Sequence, residues 1–250
     1  MNRFEGRTAI VTGAAAGIGL ATARRLASEG AAVACLDVST EGAEKAASEI
    51  SGQGPKAAGI ACDVSNPESV RQAVEAAADQ LGEPDILCNI AGIGRFYNTH
   101  ELSPDDWNRI IAVNLTGTFL VSQAVLPYML DRGGVIVNTA STSGLVAQPY
   151  QAAYCASKGG VVMFTKALAL EYWDRRLRVN AICPGGVDTH MIKDFSVLPE
   201  GASFDRITRY MSPLGFCTPD EIAALFAYVA SEEARYMTGS IISLDGGITL

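Results

Sequence analysis

Histidine is nearly missing from this chain of 250 residues; the two present, His100 and His190, lie far apart. Six cysteines, Cys35, Cys62, Cys88, Cys155, Cys183 and Cys217, form no C-x-x-C pair. Together these absences exclude a zinc arrangement and a disulfide framework, so no metal site is expected. Most of the cysteines end apolar runs, where a free thiol acts as a small hydrophobe. A reducing, cytoplasmic compartment is the expectation. An excess of positive charge is also lacking: 19 Lys and Arg stand against 27 Asp and Glu, a net charge of −8. An acidic surface repels phosphate backbones and anionic membranes, so neither nucleic acid nor a membrane is expected as a partner. The one basic cluster, Arg175, Arg176 and Arg178, reads as a solvated helix end. No uninterrupted apolar run of ~20 residues suggests a membrane span. Behind Met1–Gly6 no apolar run suggests a signal peptide. Linkers, charge blocks and tandem repeats are absent too, which predicts one folded unit over residues 1–250.

What is present is an alternation. Short apolar runs occur at Thr8–Val11, Ala32–Leu36, Ala57–Ala61, Ile86–Cys88, Val135–Val137, Val179–Ile182 and Ile241–Leu244. They are near-continuous rather than alternating, as strands buried on both faces should be. Amphipathic stretches lie between them, at Gly17–Glu29, Thr40–Ile50, Pro67–Leu81, Pro104–Leu130, Ala152–Asp174 and Pro219–Ala230. Ser65-Asn66-Pro67-Glu68, Ser103-Pro104-Asp105-Asp106 and Thr218-Pro219-Asp220-Glu221 carry helix start signals, a cap followed by Pro and acids. Strand–helix alternation predicts an α/β fold, a seven-stranded, doubly wound parallel sheet with helices on both faces. One segment, about 189–216, is long for a connection; a substrate lid over the carboxyl edge of the sheet is the expected role.

The first run leads into Thr12-Gly13-Ala14-Ala15-Ala16-Gly17-Ile18-Gly19 and then a helix. Gly13 turns the chain, Gly17 lets backbone approach a pyrophosphate, and Gly19 lets helix pack on strand, with the helix N-terminus facing the phosphates. Three glycines alone also fit a plain tight turn; the strand before and the helix after favour a dinucleotide. Asp37 ends the second run, 18 positions beyond Gly19. A carboxylate there accepts from ribose hydroxyls and repels a 2′-phosphate, which predicts NAD rather than NADP.

These residues resemble those of the classical short-chain dehydrogenase/reductase family, from about Gly6 to Gly247. Thr12–Gly19 resembles its cofactor loop and Asp63-Val64 its adenine-contacting pair. Asn89-Ile90-Ala91-Gly92 is similar to the motif after its fourth strand, with Ile90 where Asn is usual. Pro184-Gly185-Gly186-Val187-Asp188-Thr189 resembles the segment that holds the nicotinamide carboxamide, and Ile241–Gly247 the closing strand. The resemblance implies a Rossmann fold, a homotetramer and cofactor contacts at Ile18, Asn89, Ala91, Gly92, Tyr154, Lys158, Pro184, Gly185, Val187 and Thr189, with Lys158 holding the nicotinamide ribose.

Tyr154 and Lys158 are four apart on a predicted helix and so share one face. Such a pair is common and usually structural. Here a nearby ammonium is expected to lower the phenol pKa and make Tyr154 the proton-transfer residue. By resemblance, Ser141, thirteen positions earlier, orients the substrate oxygen, and Asn114 binds a water that links Lys158 to solvent. The expected activity is hydride transfer between NAD(H) and a secondary alcohol or ketone. Ser143, Gln148 and Gly186 are expected at the substrate, with Phe96, Phe195 and other apolar lid residues. Lys193, Arg206 and Arg209 read as a solvated face. Two alternatives remain at this level: a 3-oxoacyl thioester reductase of the same family, against which Asp37 argues, and a non-catalytic dinucleotide-binding regulator.

Overall fold

The computed structural model describes residues 2–195 and 197–250; the side chains of Lys193 and Asp194, and with them the reading of Lys193, lie outside the described residues. Seven strands form one parallel sheet: β1 Thr8–Thr12, β2 Ala32–Asp37, β3 Ala57–Ala61, β4 Ile86–Asn89, β5 Gly134–Thr139, β6 Leu177–Pro184 and β7 Ile241–Leu244. Their order is β3-β2-β1-β4-β5-β6-β7, every pair parallel. The order reverses between β1 and β4, which opens a crevice at the carboxyl ends of those strands, where ligands bind in such sheets.

The helices are α1 Gly17–Ser28, α2 Thr40–Ser51, α3 Pro67–Leu81, α4 Pro104–Ile111, α5 Gly117–Met129, α6 Ala152–Glu171, the short α7 Met191–Asp194 and α8 Phe204–Thr208, and α9 Pro219–Ala230. All five residues of β1 are buried, because it is covered on both faces. Ala9 and Val11 join a core with α1 and α9, while Ile10 joins a second core with α3 and α5. Caps set the starts of most long helices. Asn66 accepts from Glu68 N and Ser69 N at 3.0 and 3.1 Å. Ser103 accepts from Asp106 N at 3.0 Å. Thr218 and Glu221 form a reciprocal capping box. Helix α1 is different: its N-cap, Ala16, offers no side-chain acceptor, so the first-turn N–H groups face the crevice without an internal partner.

Two expectations change. The stretch 104–130 is not one regular helix; a π turn, Ala112–Thr116, separates α4 from α5. The continuous body Pro104–Met129 is also long and apolar enough to cross a membrane by length and composition, though no single run in it is uninterrupted. Here Val121, Val125 and Met129 are spent on the core beside Leu87 and Ile136. Arg178 is the second correction. It does not belong to a solvated helix end but turns inward from β6. Its guanidinium donates to the carbonyls of Val229, Ala230, Ser231, Ala234 and Met237 at 2.9–3.4 Å. It thereby closes the C-terminus of α9, where a cation also suits the helix dipole. Arg178→Met is expected to lower stability by about 2–4 kcal/mol, since several buried acceptors lose a charged donor at once. Urea unfolding checks this; an unchanged midpoint would show the carbonyls to be satisfied otherwise.

Candidate active site

A cavity of about 800 Å³ runs across the carboxyl ends of β1, β4, β5 and β6. At one end its wall is the glycine turn. Gly13 and Gly17 take φ of +68° and +53°, backbone that favours glycine. A Cβ on Gly13 would stand 3.0 Å from the Ala91 backbone, and one on Gly19 would collide with the Gly13 carbonyl. Asp37 lies in the same wall. Its carboxylate accepts from Ala15 N at 3.1 Å and Ser39 N at 2.9 Å, which fixes it beside the loop. Thr12 Oγ1 accepts from Ile90 N and Ala91 N at 2.9 and 3.1 Å, joining the two strand ends that flank the crevice. A turn that leaves no room for side chains, an uncapped helix N-terminus and a fixed carboxylate fit a dinucleotide: phosphates at Gly13–Gly19, ribose at Asp37.

At the other end stand Ser141, Tyr154 and Lys158, with Thr139 and Gly92 between them and the glycine turn. Tyr154 and Lys158 are both at least nine-tenths buried. Lys158 Nζ donates to the Thr139 carbonyl at 2.8 Å and lies 5.7 Å from the Tyr154 ring centroid. The expected lowering of the Tyr154 pKa is not what this site produces. Burial pushes the phenol up to about 12, and the adjacent Ser141 hydroxyl offsets only part of this. Burial also pushes the Lys158 amine down to about 8. Desolvation disfavours both charged forms. Burial therefore favours the neutral phenol, the form that has a proton to give.

Asn114 sits in the π turn, fully buried. Its Nδ2 donates to Ile93 O at 2.9 Å and Ser157 Oγ at 3.0 Å, and its Oδ1 accepts from Ile93 N at 2.8 Å. Both amide protons are committed, so the side chain braces the loop after β4. A Cβ on Gly92 would lie 3.3 Å from Asn114 Oδ1 and 3.5 Å from Lys158 Nζ, so these two groups converge at Gly92.

Ile18, Ala91, Pro184, Gly185, Gly186, Val187, Thr189, Ser143 and Gln148 all line this cavity. Asp63, Val64 and Asn89 do not. Asp63 is exposed and accepts from Ser65 N and Oγ at 2.9 and 2.6 Å. Val64 is buried against Gly117. Asn89 Nδ2 donates to Ser122 Oγ and Asn138 Oδ1 at 3.0 and 2.9 Å, tying β4 to α5 and β5. Sequence reasoning missed Thr139, which acts through its carbonyl and so leaves no signal. It also missed Gln151, whose place three positions before Tyr154 was the available sign.

The 189–216 segment covers the catalytic end. Phe195 packs edge-on against Tyr154, centroids 5.4 Å apart, and against Phe96, 5.2 Å apart. A Cβ on Gly94 would meet the tip of the Phe195 ring, so any side chain there would displace that ring. Among the described residues, hydrogen bonds from Asn98 Nδ2 to Glu200 O, Ser203 N to Tyr150 Oη, and Ser212 Oγ to Gly246 O, each 2.9 Å, tie the segment to the body.

A family model described as enoyl-(acyl carrier protein) reductase matches residues 13–249. The chain is 43% identical to the D-threitol dehydrogenase of Mycolicibacterium smegmatis, over 99% of this chain and 95% of that one. A short-chain type dehydrogenase/reductase from Mycobacterium marinum superimposes with a TM-score of 0.90 at 36% identity, covering 98% of this chain and 96% of that one. The 3-ketoacyl-(acyl-carrier-protein) reductase of Brucella melitensis, complexed with NADH, does so with a TM-score of 0.89 at 35% identity, covering 99% and 100%. Fold and comparisons define an oxidoreductase of the nicotinamide-dinucleotide class. More narrowly, the chain belongs to the short-chain dehydrogenase/reductase family.

Proposed function

We propose that this oxidoreductase interconverts a secondary alcohol and a ketone with NAD(H). The observation that carries the reading is one cavity with Asp37 at one end and Ser141, Tyr154 and Lys158 at the other. When bound, the nicotinamide supplies the hydride in reduction and takes it up in oxidation. In reduction the neutral Tyr154 phenol gives its proton to the carbonyl oxygen, which the Ser141 hydroxyl orients. In oxidation Tyr154 must first lose its proton and then takes the one from the alcohol hydroxyl. Lys158, charged below about pH 8, stabilises the phenolate while the proton is away. The 189–216 segment acts as a lid that excludes water from this transfer. We further propose a cytoplasmic homotetramer; exposed Phe119, Met163 and Leu170 on α5 and α6 supply apolar surface for packing between copies.

A second reading, reduction of a 3-oxoacyl thioester, is favoured by the Brucella relative. That protein is complexed with NADH, so an NAD preference alone does not argue against this role. The test is a turnover screen of secondary alcohols, diols and a 3-hydroxyacyl thioester, with NAD and NADP in parallel, on the wild type and Asp37→Ser. NAD is expected to be preferred by about tenfold or more, and Asp37→Ser to erode the preference by a similar factor, the worth of a charged hydrogen bond. Preference for NADP in the wild type would sink the assignment of Asp37. Dominant turnover of the thioester would establish the second reading.

A further inference from the structure

The catalytic end of the cavity holds a polar group that hydride transfer does not use. Gln151 is the N-cap residue of α6, one turn before Tyr154, and is 7% exposed. It lines the cavity. Its Oε1 accepts from Ser143 Oγ at 3.0 Å. Ser143, 5% exposed, also gives its backbone N–H to Ser141 Oγ at 3.1 Å. Two hydrogen bonds thus lead from Ser141 to the Gln151 amide. Among the described residues, nothing accepts from Gln151 Nε2. The residue is thus mostly buried, its Oε1 is held by Ser143, and it shares the cavity wall with Ser141 and Tyr154. The same cavity is also lined by the apolar Phe96, Phe195, Leu198 and Phe216.

Buried donors are almost always paired. Water meets this one while the cavity is open. A substrate that removes that water without replacing its acceptor leaves the donor buried and unpaired. From this juxtaposition we propose that Gln151 determines specificity by donating to a second oxygen on the carbon next to the reacting one. The substrate class is then a vicinal diol in oxidation and an α-hydroxyketone in reduction, with an apolar remainder against the aromatic wall. This deepens the hydride-transfer reading above and rests on it. An oxygen one carbon farther out, as in a 3-hydroxyacyl thioester, is the competing placement.

The test compares kcat/KM of the full-length enzyme for butane-2,3-diol, butan-2-ol and a 3-hydroxybutyryl thioester, with NAD and with NADP. The variants are Gln151→Met, which removes the amide, and Gln151→Glu, which keeps an acceptor for Ser143 but removes the donor. Thermal melts and NADH fluorescence titrations identify the variants that fold and hold cofactor. The wild type is expected to favour the diol over the mono-alcohol by about 10- to 100-fold, chiefly through KM, the range for a buried group left unpaired. In both variants that ratio is expected to fall by about tenfold or more. Equal use of diol and mono-alcohol by the wild type overturns the proposal whether or not the variants fold. So does an unchanged ratio in a folded variant, or a loss confined to the thioester. Each of these leaves hydride transfer standing, because a substrate is still turned over. No turnover of any of the three with either nicotinamide overturns both readings.

Discussion

Tyr154→Phe lowers kcat by about 10²–10⁴-fold, the usual worth of a placed proton donor, while NADH affinity stays within a few-fold. Phenylalanine keeps the ring, and with it the edge-on packing against Phe195; only the acid is lost. In the proposed reading the dinucleotide is held chiefly by the glycine turn and Asp37, which line the same cavity. The measurement is steady-state turnover beside a fluorescence titration with NADH. A drop of only a few-fold would show that Tyr154 is not the proton donor. Tight NADH binding with no turnover in the wild type itself would favour a regulator that holds the dinucleotide and does no chemistry.

Lys158→Met has an effect of comparable size on rate and an opposite one on stability. Turnover is expected to fall at least about a hundredfold, because the phenolate loses its cation. Stability at pH 7 is expected to rise by about 1–2 kcal/mol, since a buried charge is removed at the expense of one hydrogen bond to Thr139. The pH dependence follows from linkage. The amine falls from its ordinary 10.5 to about 8 in the folded chain. Between these values the unfolded chain holds a proton that the folded chain has released, so this residue's contribution to stability rises with pH there. Below about pH 8 both forms are charged and the penalty is present in full. The difference in stability between variant and wild type should therefore be largest at neutral pH and shrink toward pH 10. Taking the difference matters, because the buried thiols Cys35 and Cys62, both pushed up to about 12, lower stability over the alkaline range in both proteins. A variant that melts below the wild type at pH 7 would show that the ammonium is a net support of the fold.

The strands and most long helices were legible because burial on both faces leaves an unbroken apolar run, and because caps such as Asn66 and Thr218 act within a few residues. The glycine turn was legible for the same local reason. Three things were not. The π turn around Asn114 depends on what its amide meets, Ile93 and Ser157, groups that are distant in sequence. The inward course of Arg178 depends on carbonyls more than fifty residues away. The pKa direction of Tyr154 depends on burial, and a Y-x-x-x-K spacing cannot report how much water a lid removes. Asp63 and Val64 show the converse: a motif match identifies a position, and the structure places those side chains in a turn and a core instead of the cavity wall.

The order of the sheet also bears on how the chain reaches it. β1 pairs with β2 as soon as Ala32–Asp37 exists, but its other edge must wait for Ile86–Asn89. Strand pairing across that distance forms late, after much loop entropy has been given up. During synthesis the free edge of Thr8–Thr12, five residues that end up wholly buried, is therefore expected to stay open until Ile86–Asn89 has been made, about a few seconds later at ordinary synthesis rates. An edge of that kind recruits other chains. The crevice that makes the site is thus also the seam along which two halves of the sheet must find each other, and the stage at which a newly made chain is most exposed to aggregation.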